Sequence, residues 1–407
     1  MLLLAVVFVM PTGWNAGISL LLLLLLVQSI AIYKLSDWSA AFKSTIVLSS
    51  MLYFAFLACS LLWSDDLSEG GRQLETKASF LIAPLLIFAG KRYWQPGLRT
   101  RMMKAFWYGT LLAIFIALAY AGYRSIEAGG LSITHEAGTR YFFLYKHLSS
   151  PIMHPGYMAT YVGLAIFIAI RLSQLSNDMV SKWKYISSIV LFSGIMILLQ
   201  ARINLLALLI VVGIGVLIYA WIQKRYVLFS APFVGGLLLF LAIIVAPKGI
   251  SDRYLQLPQF DYNISGEESD FNSATYRLAI WTCAGDVISQ QPVIGTGIGD
   301  NREALVKSYE ENEFWQGVER RFNTHNQYLE TLLAVGAVGL LFMLLMFISY
   351  LRLAIIQRDF LLLAALGFIL ISLLTESMFE RMWAVILFTV VLPGLAVFHS
   401  EERAVSQ

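Results

Sequence analysis

Charge is scarce in this chain. Only 14% of its 407 residues are Asp, Glu, Lys or Arg, while 58% are hydrophobic and the mean hydropathy is +0.71. That balance excludes a soluble globular domain. Cysteine is scarcer still: Cys59 and Cys283 alone cannot build a disulfide framework or a metal cluster. His135, His147 and His154 show no ligand spacing to one another or to a carboxylate, so no metal and no other cofactor is expected. No low-complexity segment, heptad run or soluble appendage interrupts the chain, so residues 1–407 read as one integral membrane domain. The halves share no repeat, which counts against an inverted-repeat transporter. The net charge of +3 reflects membrane topology and not a nucleic-acid patch.

What is there is long apolar runs. Hydrocarbon offers no water to backbone groups, so a spanning chain must be a helix bundle or a closed barrel. The runs last fifteen to twenty residues without alternating, which selects helices. The expected fold is all-α, a polytopic bundle of about twelve transmembrane helices: 1–10, 16–33, 44–63, 75–89, 104–123, 153–172, 184–200, 203–222, 226–246, 326–351, 359–375 and 380–398. The first is short and has no basic segment before it, which argues against a cleavable signal peptide. Alternate connections carry the lysines and arginines: Lys34 and Lys43; Lys91 to Lys104; Arg171 to Lys184; Lys224 and Arg225; Arg352 and Arg358. The positive-inside rule places these in the cytoplasm, with both termini, and faces 64–74, 124–152, Ala201, 247–325 and 376–379 outward. The 247–325 loop holds seven basic and twelve acidic residues, a net of −5, and reads as one large periplasmic insertion containing short helices.

That polar loop, closing at His325-Asn326, is where chemistry is sought. Asn272 or Ser273 caps a helix on which Arg277, Ile280, Trp281, Ala284, Val287 and Ile288 recur at helical spacing, with Trp281 as an interfacial anchor. Gly295-Thr-Gly-Ile-Gly299 looks like a dinucleotide fingerprint, but no strand precedes it; its expected role is chain reversal beneath a second helix near 301–316. An acidic run, Glu267, Glu268 and Asp270, reads as a solvated turn ahead of a metal site.

Arg202 opens a helix directly after the previous one ends. It could snorkel to headgroups, or aim a guanidinium into an outward cavity, where it would bind phosphate oxygens bidentately. Arg277 divides the same way between a surface charge and a ligand-binding one. His325 could be a hydrogen-bonded core histidine; at an interface, imidazole can also take a proton from a hydroxyl at neutral pH. Arg72 and Lys77, His154-Pro-Gly-Tyr157, and Glu376 with Glu380-Arg381 crowd the same rim, where ionisable groups are costly and so are functional candidates. Glu376 or Glu380 with Arg381 is expected as a structural ion pair.

These motifs together resemble the O-antigen ligase family, whose domain is shared with lipid-linked oligosaccharide polymerases and bacterial O-oligosaccharyltransferases. The resemblance rests on Arg277-Leu-Ala-Ile-Trp281, Pro292-Val-Ile-Gly-Thr-Gly297, His325-Asn-Gln-Tyr-Leu329, Gly336-Ala-Val-Gly339, Leu74-Glu-Thr-Lys77 with Pro84, His154-Pro-Gly-Tyr157 and Thr375-Glu-Ser-Met-Phe-Glu-Arg381. It implies a bacterial inner-membrane enzyme, acting at the periplasmic face without metal or ATP, that moves a glycan from undecaprenyl diphosphate to a hydroxyl. Arg202 and Arg277 match the family's phosphate-binding positions and His325 its catalytic base. Asn326, Lys77, Arg72, Tyr157, His154, Trp281, Glu376 and Arg381 are supporting candidates. The implied partners are the undecaprenyl-diphosphate-linked donor, membrane lipids and, on the ligase-like motifs, a lipid A–core acceptor. A repeat-unit polymerase or a protein O-oligosaccharyltransferase is the alternative. A polyprenyl-glycan transporter is the alternative outside this class, but its charges would sit at mid-membrane and not at the rim.

Overall fold

The computed structural model describes residues 1–130, 141–246, 248–255, 263–266 and 271–398. His135, Pro247, Glu267, Glu268 and Asp270 lie outside the described residues. The described chain is all-helical, with no strand. Its helices run α1 Leu2–Val9, α2 Asn15–Ile32, α3 Leu35–Ala41, α4 Thr45–Cys59, α5 Leu67–Lys77, α6 Ser79–Ala89 and α7 Leu98–Glu127. Then come α8 Tyr145–Ser149, α9 Pro155–Leu175, α10 Met179–Leu198, α11 Arg202–Ile222, α12 Ala231–Ile244 and α13 Lys248–Leu255. The chain closes with α14 Ser273–Gln290, α15 Asn301–Glu311, α16 Trp315–Arg320, α17 Gln327–Gln357, α18 Phe360–Ser372, α19 Met382–Ile386 and α20 Leu392–Val397.

Seven described segments are long and apolar enough to cross a membrane: Asn15–Ile32, Thr45–Trp63, Leu98–Glu127, Pro155–Leu175, Arg202–Ile222, Tyr226–Ile244 and Gln327–Gln357. This is a multi-pass membrane protein. Five of the twelve expected segments lie outside these seven, among them 184–200, which belongs to α10, a helix with Lys182 and Lys184 in its first turns. The 75–89 segment breaks at Ala78 into polar α5 and eleven-residue α6. Leu2–Thr12, Phe360–Ser372 and Met382–Val397 are apolar but brief.

The bundle is built around α9, whose membrane window is 72% buried against 22% for α2 and α11. It packs on α7, α10, α11 and α18, while α17 lies along α4. A second, smaller core sits under the loop helices: Ala279, Ile280 and Cys283 of α14, Leu305 and Tyr309 of α15, Phe314, and Leu333 of α17. The apolar face read from 277–288 is therefore the one that packs, with Arg277 on its rim.

Helices α14, α18 and α17 each start at a side-chain cap. Asn272 accepts from Ala274 N and Thr275 N, Asp359 from Leu362 N, and Asn326 from Tyr328 N at 2.9 Å and Leu329 N at 3.1 Å. Helix α17 is not continuous. Val335 and Gly336 leave helical geometry (Gly336 φ 62°), and the freed groups are taken by the Pro292–Gly297 loop. Thr296 N donates to Leu333 O, Gly297 N to Ala334 O, Ala337 N to Pro292 O and Val338 N to Val293 O, at 2.9 to 3.2 Å. A Cβ on Gly336 would stand 2.3 Å from the Val293 carbonyl carbon, and one on Gly295 2.6 Å from that of Ala334. The glycine run is thus more than a reversal: it repairs a broken helix.

Candidate active site

Four segments converge at one end of the bundle: the start of α11, the start of α14, the 323–326 turn and the 373–381 connection. Arg202 and Arg277, 75 positions apart, line one cavity of about 360 Å³ together with Tyr145, His154, Asn204 and Glu376. Arg277 donates from Nη1 to Ser273 O at 2.9 Å, reaches Glu376 Oε1 from Nη2 at 3.9 Å, and its buried Nε has no hydrogen-bond partner among the described residues. Glu376 also faces His325, with Oε2 3.7 Å from Nδ1. One carboxylate therefore stands between the guanidinium and the imidazole. Burial pushes the Glu376 carboxyl up, but the His325 contact and the charges of His325, His154 and Arg277 outweigh it and leave the group below its usual range.

The turn carrying His325 is held from several sides. His325 sits at φ 46°, in the left-handed region that few non-glycine residues adopt, and its N–H donates to Asn323 Oδ1 at 3.1 Å. Next to it Thr324 is fully buried: its N and Oγ1 donate to Glu330 Oε2 at 2.9 and 2.7 Å, and its carbonyl accepts from Trp281 Nε1 at 2.9 Å. Ser377 Oγ accepts from Asn326 N at 3.2 Å. Glu330 Oε1 takes Asn301 Nδ2, Asn301 Oδ1 takes Gln73 Nε2, and Gln73 Oε1 takes Lys77 Nζ. Lys77 ends this chain of bonds in a buried ion pair with Glu380 at 2.8 Å.

Several expectations change here. Trp281, read as an interfacial anchor, also commits its N–H to the His325 turn. Neither Glu376 nor Glu380 pairs with Arg381: Glu376 pairs with Arg277 and His325, Glu380 with Lys77, and the Arg381 side chain is left on an exposed rim. The reason is depth, since the inner partners are better shielded from water. Arg72 lies farther out, 70% exposed and bound to Glu69, so it does not join the cluster. Asn326 is a helix cap. Tyr157 is buried, its OH donating to Ser377 O at 3.4 Å, and His154 caps α9 beside it, accepting from Gly156 N. The helix expected near 301–316 is two, α15 and α16. Gln73, Asn301, Thr324, Glu330 and Ser377 were not anticipated. For Glu330 the signal existed: it is the one carboxylate in the first turn of an otherwise apolar helix, which marks a paired or functional group.

A second cavity, about 460 Å³, lies across the 376–381 connection and is lined by charge: Arg72, Arg302, Arg321 and Arg381 against Asp66, Glu69, Glu303 and Glu380, with Asn323 at its inner edge. Among the described residues no group of three His, Cys, Asp or Glu is placed to hold a metal ion.

Breaking the buried Lys77–Glu380 pair should cost about 3–5 kcal/mol. Lys77→Met is expected to lower the unfolding temperature of the purified protein more than the Lys77→Met/Glu380→Gln double variant does, because the single change strands a carboxylate. For Glu376, whose folded pKa is depressed, the stabilising contribution is present above the ordinary value of 4.5 and is lost as pH falls through the lower folded value. The stability difference between wild type and Glu376→Gln should therefore be largest at neutral pH, about 1–3 kcal/mol, and should shrink in thermal melts taken below pH 4.5.

The fold and this rim define a class: a multi-pass helical membrane protein with an arginine–carboxylate–histidine cluster at one end of the bundle. Residues 187–344, less than half of the chain, match the family model described as O-antigen ligase. A protein of Rickettsia bellii (strain RML369-C) named "Putative polysaccharide ligase" is 27% identical over 181 residues, covering 42% of this chain and 40% of that relative. The chain thus matches well under half of that relative's length. The family match includes Arg202, Arg277 and His325; Lys77, His154, Tyr157, Glu376 and Arg381 lie outside it.

Proposed function

We propose that this protein is a glycosyltransferase that moves a glycan (the O-antigen) from undecaprenyl diphosphate to a hydroxyl of the lipid A–core oligosaccharide at the periplasmic face of the bacterial inner membrane. The observation that carries the reading is the shared cavity of Arg202 and Arg277, with Glu376 linking Arg277 to His325. Two guanidinium groups can neutralise a leaving diphosphate without a metal. His325 accepts the proton of the attacking hydroxyl, and the Glu376 carboxylate at 3.7 Å stabilises the imidazolium so formed. The hydroxyl oxygen bonds to the anomeric carbon as the bond to the diphosphate breaks, which inverts the centre. The charged cavity lined by Asn323, Glu380 and Arg381 suits a hydroxyl-rich acceptor sugar. In this reading residues 1–407 form a single membrane domain with both termini cytoplasmic, and 247–325 is its periplasmic loop.

The test is a lipopolysaccharide gel of a strain lacking this gene. Loss of all O-antigen banding with core intact is the expected result. A single-repeat band would instead assign a polymerase, and an unchanged ladder would overturn both. Because the diphosphate is balanced by arginine, transfer by the purified protein should persist in EDTA and without ATP; activity lost to chelator and restored by magnesium or manganese would replace this mechanism.

A further inference from the structure

Glu330 lies in the first turn of α17 and is 2% exposed. The hydrogen bonds of its carboxyl group are all accepted ones: Oε2 takes Thr324 N, Thr324 Oγ1 and Ser377 Oγ, at 2.9, 2.7 and 3.3 Å, and Oε1 takes Asn301 Nδ2 at 3.1 Å. Two of these partners are the sequence neighbours of the candidate base and its carboxylate. Thr324 precedes His325, and Ser377 follows Glu376. One oxygen atom therefore ties together the two segments whose side chains meet at 3.7 Å, His325 Nδ1 and Glu376 Oε2. Without that tie the turn has reason to move, since His325 is held at φ 46°.

The other oxygen has its role fixed from a distance. Lys77 has only protons to give, and it donates to Gln73 Oε1 at 3.2 Å. That leaves Gln73 Nε2 to donate to Asn301 Oδ1 at 3.1 Å, and Asn301 Nδ2 to donate onward to Glu330. Neither amide can be turned round without setting donor against donor or acceptor against acceptor. With Lys77, Gln73 and Asn301 all buried, bulk water does not relieve a mismatch. Glu330 must accept at both ends, which a carboxylate does and an amide does not.

We propose that Glu330 is a positioning residue: it sets the spacing of His325 and Glu376 through Thr324 and Ser377, and Lys77 fixes the polarity of the line of amides that ends on it. The catalytic consequence rests on the glycosyl-transfer reading; the positional one does not. The arginines assigned to the donor stand on other helices, α11 and α14, so Glu330 acts on kcat and not on donor affinity.

The test compares Glu330→Gln with wild type, each as the full-length chain in lipid nanodiscs. Cryo-electron microscopy of the variant should show His325 and Glu376 moved out of contact. Transfer should fall by about 10²-fold in kcat at unchanged donor affinity, the cost of misplacing a reacting group by about 1 Å. In a Glu376→Ala background the same substitution should add less than about threefold, because the spacing it sets no longer matters. A residue needed only for the fold would lower both backgrounds alike, and that result would overturn the proposal. So would a Glu330→Gln structure that keeps the 3.7 Å contact, whether or not the protein transfers glycan. Absence of transfer by the wild-type protein would count against the glycosyl-transfer reading instead, and the two structures would still decide the role of Glu330. Should Glu330→Gln not fold, Ser377→Ala removes one tie to Oε2 and leaves Thr324 and Asn301 bound. It should give a smaller fall in kcat that again disappears in the Glu376→Ala background, and an equal fall in both backgrounds would overturn the proposal.

Discussion

His325→Ala is expected to lower glycan transfer by ~10²–10⁴-fold while the protein still inserts in membranes and still binds donor lipid. The imidazole stands beside Glu376 on a turn fixed by Asn323, Thr324, Trp281 and Ser377, none of which the substitution touches directly through its side chain. The scaffold should therefore survive. Alanine also accepts φ 46° no better than histidine, so the change adds no new backbone freedom. Turnover is measured with purified protein in lipid nanodiscs, and donor binding in parallel. Near-normal turnover in that variant would reduce His325 to a structural residue and leave the proton without an acceptor.

The second large effect concerns the arginines. Arg202→Lys and Arg277→Lys should each reduce transfer by about 10²–10³-fold, although each retains its positive charge. Lysine offers a compact point charge and cannot grip two phosphate oxygens at once. Arg277 has more to lose: its Nη1 is bound to Ser273 and its Nη2 faces Glu376, so a lysine there could not serve Glu376 and a phosphate together. Donor titrations should show weaker binding in both variants and a further loss in the double variant that is less than the product of the two, since the two groups would act on one diphosphate. Normal donor affinity in Arg277→Lys would end the shared-site assignment.

The helices were legible because apolar runs of membrane length carry a strong signal, and Asn272, Asn326 and His154 stand at helix starts as their side chains suggest. Arg202 and Arg277 were readable as candidates for one site from residue chemistry and motif order, and the cavity they share follows from the bundle. The supporting contacts were not readable. Gln73, Asn301 and Glu330 meet across as many as 228 positions, and amide and hydroxyl side chains announce no partner in a sequence. The bond from Trp281 to the His325 turn was hidden because an indole near a membrane boundary looks the same whether its N–H faces water or a backbone carbonyl. The interruption of α17 was hidden for a related reason. Gly336-Ala-Val-Gly339 sits inside an apolar run, and hydropathy does not register which backbone groups have been surrendered to another segment.

That interruption governs the order of assembly. The Pro292–Gly297 strip leaves the ribosome before 333–338 exists, so its amides and carbonyls have no protein partner until α17 arrives and breaks around them. A fragment ending ahead of Gln327 would keep both arginines and the histidine, yet carry an unsealed stretch of backbone beside the bilayer. Such a fragment should be prey to proteases and not a smaller working protein, and the last helices are as much a closure for the loop as they are spans of their own.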